Sequence, residues 1–124
     1  MTALLAGAAV AACDDVDNAA FDGDVRNAVA AEVTVRVTVT AVLPDAPAGA
    51  DGPHQRLEVR VDGLDVEVDH NLDLAPRVPA VPGDILVIHG QFEPDPGHPV
   101  IHYTHHATGS HEGGWIQRNG DTYQ

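Results

Sequence analysis

Five histidines fall within fourteen residues near the end of the chain and run into a glycine-rich motif. They are His98, His102, His105, His106 and His111, followed by Glu112-Gly113-Gly114-Trp115. Imidazole can ligate a metal ion, transfer protons near neutral pH or hydrogen-bond an anion. The chain has eight histidines, six arginines and no lysine, so this segment is the first place to expect a site.

Strand geometry limits which of these histidines can share one metal ion. On a continuous strand His102 and His106 would lie roughly 13 Å apart, at about 3.3 Å per residue. Ligand nitrogens of one zinc ion lie only about 3–4 Å from one another. A divalent metal, Zn or Cu, would therefore need residues from beyond the strand end and from other segments. We predict His105, His106 and His111 as its ligands, and His54 or His70 from the neighbouring hairpin could join them.

A catalytic site has weaker support in the sequence. Ser110 is the only serine, and it lacks the Gly-x-Ser-x-Gly pattern of a nucleophile elbow. A hydrolase could still use a histidine as general base and Arg56 or Arg77 to hold an anionic transition state. A small phosphodiesterase-like hydrolase therefore stays open as an alternative. Glu112 is interpreted as an ordinary loop carboxylate.

Alternating apolar and polar residues predict β-strands from Glu32 onward. Valines occupy every second position from 33 to 39, and aliphatic residues do so from 57 to 61 and from 64 to 68. A period of two is typical of strands with one buried face. Asp62-Gly63 between the last two runs predicts a two-residue hairpin turn with positive φ. Residues 44–53 hold three prolines and two glycines and are expected to form a loop.

Two more strands are predicted after a proline-rich connector over residues 71–79. The apolar run from Ile85 to Gly90 suggests a strand covered on both faces, and Val100 to Thr104 is predicted as the last strand. Five strands with a long third connection indicate an all-β fold, a small OB-like barrel preceded by a short N-terminal helix or tether. An open antiparallel sandwich is the alternative.

The same strand pattern places several candidate ligand-binding residues. His70 continues the inward positions of its strand, so it is either a satisfied buried histidine or part of a site. Arg77 could instead form a surface ion pair, and Gly113-Gly114 could dock Trp115 on the core or make it a lid. The predicted ligand-binding set is His54, Arg56, His70, Arg77, His102 and Trp115.

Composition restricts the partners. A chain of 124 residues is long enough for one domain. Its formal charge is −13 with no basic run, which argues against nucleic acid as a partner because phosphate binding needs clustered basic residues.

The first twelve residues differ from the rest. Residues 2–12 are small or apolar without a charge, and Cys13 follows as the only cysteine. The run is too short to span a bilayer but suits an export signal, and residues 10–13 resemble a lipobox, although no basic residue precedes them. We expect residues 1–12 to be a lipoprotein signal, 13–31 an acidic tether or short helix, and 32–124 the barrel domain. Lipid on Cys13 would then anchor the protein to the membrane in the cell envelope.

Long motifs carry a resemblance to a known family. They are Pro53-His54-Gln55-Arg56, residues 70–77, residues 100–106, and residues 111–116 through Tyr123-Gln124. With them the chain resembles the bacterial family known as domain of unknown function 3465, over roughly residues 33–124. The resemblance implies an exported or lipid-anchored single-domain protein and supplies no activity. Its members are richer in lysine than this chain.

Three function classes follow from these observations. The first is an envelope lipoprotein with a His/Arg-lined pocket for a divalent metal ion or a small anion. The second is the small hydrolase, and the third is a structural envelope protein. We favour the binding protein, because no recognisable nucleophile or paired carboxylates stand out.

Overall fold

The computed structural model describes residues 15–47, 49 and 52–124. These residues are mostly β, with one short helix. The elements are α1 (Asn18–Asn27), β1 (Ala31–Ala46), β2 (His54–Val61), β3 (Leu64–Asn71), β4 (Ile85–Glu93), β5 (Val100–His102), β6 (Trp115–Arg118) and β7 (Asp121–Tyr123). The predicted signal and Cys13 lie outside the described residues. Within the described part, no helix is long and apolar enough to cross a membrane.

Five strands close into a ring in the order β1-β2-β3-β5-β4, with β4 returning to β1. The closing pair of β3 and β5 is parallel, and the other pairs of the ring are antiparallel. β6 pairs with β4, and β7 pairs with β6. The described chain therefore has seven strands, and the prediction that residues 100–104 form the last one is wrong. The signal that reveals the extra hairpin is Asn119-Gly120, whose φ angles of 51° and 86° suit a two-residue turn.

β1 forms because its valines bury one face. Val33, Val35, Val37 and Val39 are buried, as the alternation predicts. The strand also runs through Pro44 to Ala46, so the predicted loop begins later than expected. Its register with β2 is irregular between Leu43 and Ala46, and a proline is tolerated at such a break because its missing N–H interrupts no regular ladder there.

The hairpin of β2 and β3 follows its sequence pattern closely. Asp62 and Gly63 both have positive φ, 50° and 85°, and the strands pair from His54–Asn71 to Val61–Leu64. This confirms the predicted turn. Because the alternation continues without a break, His70 is carried to the buried face and is fully buried.

α1 packs against the ring of strands. Asp17 caps its N-terminus by accepting a hydrogen bond from the Ala20 N–H, and the helix ends at Asn27 because Ala28 adopts a left-handed φ of 53°. Its buried Phe21 contacts Phe92 edge to face, with ring centroids 5.1 Å apart. Of the two alternatives offered for residues 13–31, a short helix therefore forms, over ten residues.

β4 pairs with three other strands of the sheet. It is longer than predicted and is fully covered on one face only, since Leu86, Ile88 and Phe92 are buried whereas Ile85 is 61% exposed. The continuous apolar run concealed this alternation. β4 pairs with β1 along one edge and with β5 and β6 along the other.

Candidate functional site

One loop carries most of the histidine cluster, and its shape follows from strand pairing. β5 pairs with residues 91–93 of β4, and β6 pairs with residues 87–89 of the same edge. The intervening residues 103–114, here called the histidine loop, must therefore leave that edge and return to it. The Gly114 N–H donates to the His105 carbonyl at 2.7 Å and closes the loop.

The histidine loop forms one wall of a cavity of about 480 Å³. Residues from the start of β2 and from the connector after β3 form the other walls. The lining residues are Gly52, His54, Asn71, Asp73, Leu74, His102, Tyr103, His105, Thr108, Ser110 and His111. Four imidazoles from two distant segments of the chain thus face one space. His54, the first residue of β2, reaches this cavity from the outward side of the strand.

Three of these imidazoles are held in the same tautomer. Nδ1 of His54 lies 2.9 Å from the Gly52 carbonyl oxygen, Nδ1 of His105 lies 2.9 Å from that of His106, and Nδ1 of His111 lies 2.8 Å from that of Glu112. A carbonyl oxygen only accepts, so each Nδ1 carries the proton and donates. In the neutral ring each Nε2 then keeps a lone pair that can accept, and that of His111 accepts from the Thr108 hydroxyl at 3.3 Å. Burial lowers the pKa of His105, which favours its neutral form.

An aromatic stack braces the cavity wall. Tyr103 lies between His102 and His111. Its ring centroid is 3.9 Å from that of His102 and 4.2 Å from that of His111, and the ring planes are nearly parallel. His105 meets His111 edge to face at 4.8 Å. Tyr103 has a φ of 57°, an uncommon conformation for a bulky residue, and this turn lets the chain leave β5. The stack holds two of the cavity imidazoles against one ring.

His70 lies beneath this site as a structural element. Its Nε2 donates to the Pro76 carbonyl at 2.9 Å, so its Nδ1 accepts from the Thr104 hydroxyl at 2.7 Å. Burial lowers the pKa of His70 to about 4. The imidazole therefore stays neutral and joins the connector after β3 to the residue that precedes His105. Of the two interpretations offered by the sequence, the contacts describe a satisfied buried histidine.

The predicted arginines lie outside the cavity. Arg56 pairs with Glu67, with Nε 3.1 Å from a carboxylate oxygen. Arg77 forms a surface ion pair with Asp45. This is the alternative that the sequence offered for Arg77. Both cations are thus engaged by carboxylates, and neither lines the cavity.

Trp115 and His106 also lie elsewhere. Trp115 is half-buried and stacks on His89 with ring centroids 5.7 Å apart, while its neighbour Ile116 enters the core. His106 is exposed and contributes its carbonyl to His105 rather than its ring to the cavity. The predicted metal set of His105, His106 and His111 is therefore not gathered as three ligands.

Within the described residues, one group of three metal-ligating side chains has its ligand atoms within 4.8 Å of one another: Glu32, His89 and Glu112. His89 Nε2 lies 2.6 Å from Glu112 and 3.7 Å from Glu32, and its Nδ1 lies 2.7 Å from the Thr34 hydroxyl. Burial, and next the charge of Glu112, raise the pKa of Glu32. Because Glu112 belongs to the histidine loop, this group ties the loop to β1 and β4.

Several residues that line the cavity were not predicted from the sequence. Thr108 lies outside the long motifs and Asp73 lies within residues 70–77, and an indirect signal for Asp73 came from Gly52. It has a φ of +81°, and a side-chain carbon there would lie 2.5 Å from a carboxylate oxygen of Asp73. Glycine thus lets Asp73 approach the turn that fixes His54.

The ring of strands and the imidazole-lined cavity define a mostly β domain with a candidate binding site. The family described as Protein of unknown function (DUF3465) has a model that matches residues 2–124, and the chain belongs to that family. This match confirms the resemblance seen in the histidine motifs and extends it to the N-terminal segment. A search of curated proteins found no match, and a search of solved structures found none.

Proposed function

We propose that this protein is an envelope-anchored binding protein that holds a divalent transition-metal ion, Zn or Cu, through His54, His105 and His111. The observation that carries the proposal is the shared tautomer of these three residues, whose Nδ1 protons all go to backbone carbonyls. Histidines that ligate metals almost always donate their other ring N–H in this way, because it fixes the lone pair that binds. Imidazole nitrogen suits Zn and Cu.

The charges around the cavity favour a cation over the small anion that the sequence left open. Arg56 and Arg77 form ion pairs outside the cavity. Among the described residues that line the cavity, Asp73 carries the one carboxylate. Three imidazole lone pairs beside a carboxylate form an acceptor-rich space. Such a space offers an anion little and a metal ion several ligands.

Metal binding would require the side chains to close on the ion. The Nε2 atoms of the three histidines are not among those lying within 4.8 Å of one another, whereas ligands of one ion lie about 3–4 Å apart. Two of the three belong to the histidine loop, and their ring centroids are already 4.8 Å apart. The movement needed therefore falls mainly between that loop and His54.

The fold proposed for this site is an OB-like barrel. Its support is the five-strand ring, which encloses the buried apolar face of every strand it contains. Five-stranded barrels of this type bind ligands through their loops, and small-molecule sites commonly occupy barrel mouths. The cavity lies where the connector after β3 meets the loop after β5, in keeping with such a site.

The metal proposal is tested by titrating Zn²⁺ into the full chain carrying Cys13→Ser and no affinity tag, so that neither the thiol nor tag histidines can bind the ion. We expect one ion per chain by calorimetry and elemental analysis. His111→Ala should weaken the affinity at least tenfold, since it removes one of three ligands. His98→Ala is the matched control, because His98 is 55% exposed and lies outside the cavity.

Two outcomes would contradict this proposal. One is the absence of Zn²⁺ and Cu²⁺ binding at micromolar concentrations by a folded protein. The other is that His89→Ala abolishes metal binding whereas His111→Ala does not. That result would assign the ion to the group of Glu32, His89 and Glu112. Thermal melting of each variant separates a lost ligand from a lost fold.

The membrane anchor is a separate part of the proposal and rests on residues 10–13 and the apolar run before them. Expression in a bacterium that processes lipoproteins should yield membrane-associated protein whose first residue is an acylated Cys13. Cys13→Ser should remain unprocessed or be released. Mass spectrometry of the membrane fraction measures this, and unacylated wild-type protein that retains residues 1–12 would end the idea.

A further inference from the structure

The cavity is larger than a metal ion requires. Its volume of about 480 Å³ compares with roughly 30 Å³ for a water molecule, and falls within the range of small-molecule pockets, about 300–1,000 Å³. Three protein nitrogens also leave one position of a tetrahedral ion unfilled, which is the arrangement of zinc sites that exchange a water or substrate. Both facts leave room for a second ligand beside the metal.

Thr108 stands beside the position that the metal would occupy. Its hydroxyl lies 3.3 Å from Nε2 of His111 and donates to that lone pair. A metal ion on the same Nε2 would take the lone pair and leave the hydroxyl without this acceptor. The Ser110 hydroxyl lines the same cavity. An oxygen atom on the metal-bound ligand would therefore find a donor already in place.

The charge of the site selects the ligand. The three imidazoles are neutral as ligands, Asp73 contributes one negative charge, and a divalent ion contributes two positive charges. One positive charge remains, so a monoanion neutralises the site, whereas a dianion leaves it negative in a protein of formal charge −13.

From these three observations we infer that the metal keeps an exchangeable position that takes a small monoanionic carboxylate. One carboxylate oxygen binds the ion, and the other accepts a hydrogen bond from Thr108. The inference rests on the proposed metal site, because the described residues that line the cavity include no lysine or arginine that would attract an anion.

Cobalt makes the exchange visible. Co²⁺ replaces zinc in such sites and absorbs visible light with a spectrum that depends on its ligands. In the full chain carrying Cys13→Ser and loaded with Co²⁺, formate should change the visible spectrum with saturation. Equal concentrations of sulfate should not. Thr108→Val should weaken formate binding about tenfold, the value of one hydrogen bond to a charged group. Its Co²⁺ affinity should not fall, because the variant removes a hydroxyl that competes with the ion for the His111 lone pair. Thr122→Val on the exposed β7 is the matched control.

The results separate the two proposals. A folded protein that binds no Co²⁺ overturns the metal site and this inference together. A protein that binds Co²⁺ but shows no spectral response to formate overturns the exchangeable position alone. If Thr108→Val binds formate as tightly as the wild type, or if sulfate competes equally, the assigned donor or the assigned charge class is wrong.

Discussion

Replacing Gly114 with alanine is expected to lower the free energy of unfolding by about 3 kcal/mol or more. The added carbon would lie 2.2 Å from the Tyr103 carbonyl oxygen and 2.5 Å from that of His89. Both are backbone atoms, one in the histidine loop and one in β4. Neither can withdraw without breaking the return of the loop to the sheet, so the loop should undock as well. Urea unfolding at fixed temperature measures the loss.

The adjacent Gly113→Ala is the control for this prediction. A carbon there would first meet the Ala107 nitrogen at 3.1 Å, in an exposed part of the histidine loop that can adjust. We expect its loss to stay within about 1 kcal/mol, as for substitutions away from packed features. Equal losses for the two variants would show that the close approach at Gly114 does not control stability.

The contribution of His70 to stability is expected to shrink by about 3 kcal/mol when the pH falls from 7 to 4. The pKa of His70 is about 4 in the folded protein, against a reference value of 6.5 for the unfolded chain. Each pKa unit of this difference corresponds to about 1.4 kcal/mol of stability. Between these values the unfolded chain binds the extra proton, so stability rises with pH. The contribution is complete above pH 6.5 and is lost as the pH falls towards 4.

A variant is needed to isolate this effect, because Asp69 acts in the opposite direction. Burial, and then its hydrogen bond with Glu67, raise the pKa of Asp69 to about 7, so acidification stabilises the fold through that group. The relevant quantity is the difference in unfolding free energy between the wild type and His70→Gln, measured at pH 7 and pH 4. Asp69 cancels in that difference. A difference that does not change with pH, or a His70 ring titrating near 6.5 by NMR, would contradict the prediction.

The ring of strands could be predicted where local pattern decides structure. Alternation identified the buried faces of β1, β2 and β3, and it carried His70 to the core. The Asp62-Gly63 turn followed from residues that tolerate positive φ. The extension of β1 past Pro44 could not be predicted from local pattern, because it depends on a register break against a partner strand. The β6–β7 hairpin was missed although Asn119-Gly120 marks its turn, since its strands are only four and three residues long.

The site was less predictable than the strands, because it depends on contacts between distant segments. The histidine spacing located the histidine loop and ruled out a site within β5 alone. The predicted set of ligand-binding residues included His54, which lines the cavity, but no pattern indicated that Thr108 would stand beside His111. Arg56 was predicted for the ligand, but Glu67 on the paired strand holds it. In a chain this acidic, a cation more often meets a carboxylate than a pocket.

The parallel pairing that closes the ring also bears on how fast the protein folds. Only two registered pairs join β3 and β5, and the first links Glu67 to Val100, residues 33 positions apart (100 − 67). The β2–β3 hairpin can form locally within about 1–10 μs. The β3–β5 contact, like the β1–β4 pairing, must first overcome the entropy of a long chain loop, so we expect both to form later than the hairpin. Since the histidine loop begins where β5 ends, we expect its cavity to assemble after these steps, so that local signals that speed the hairpin do not speed the site.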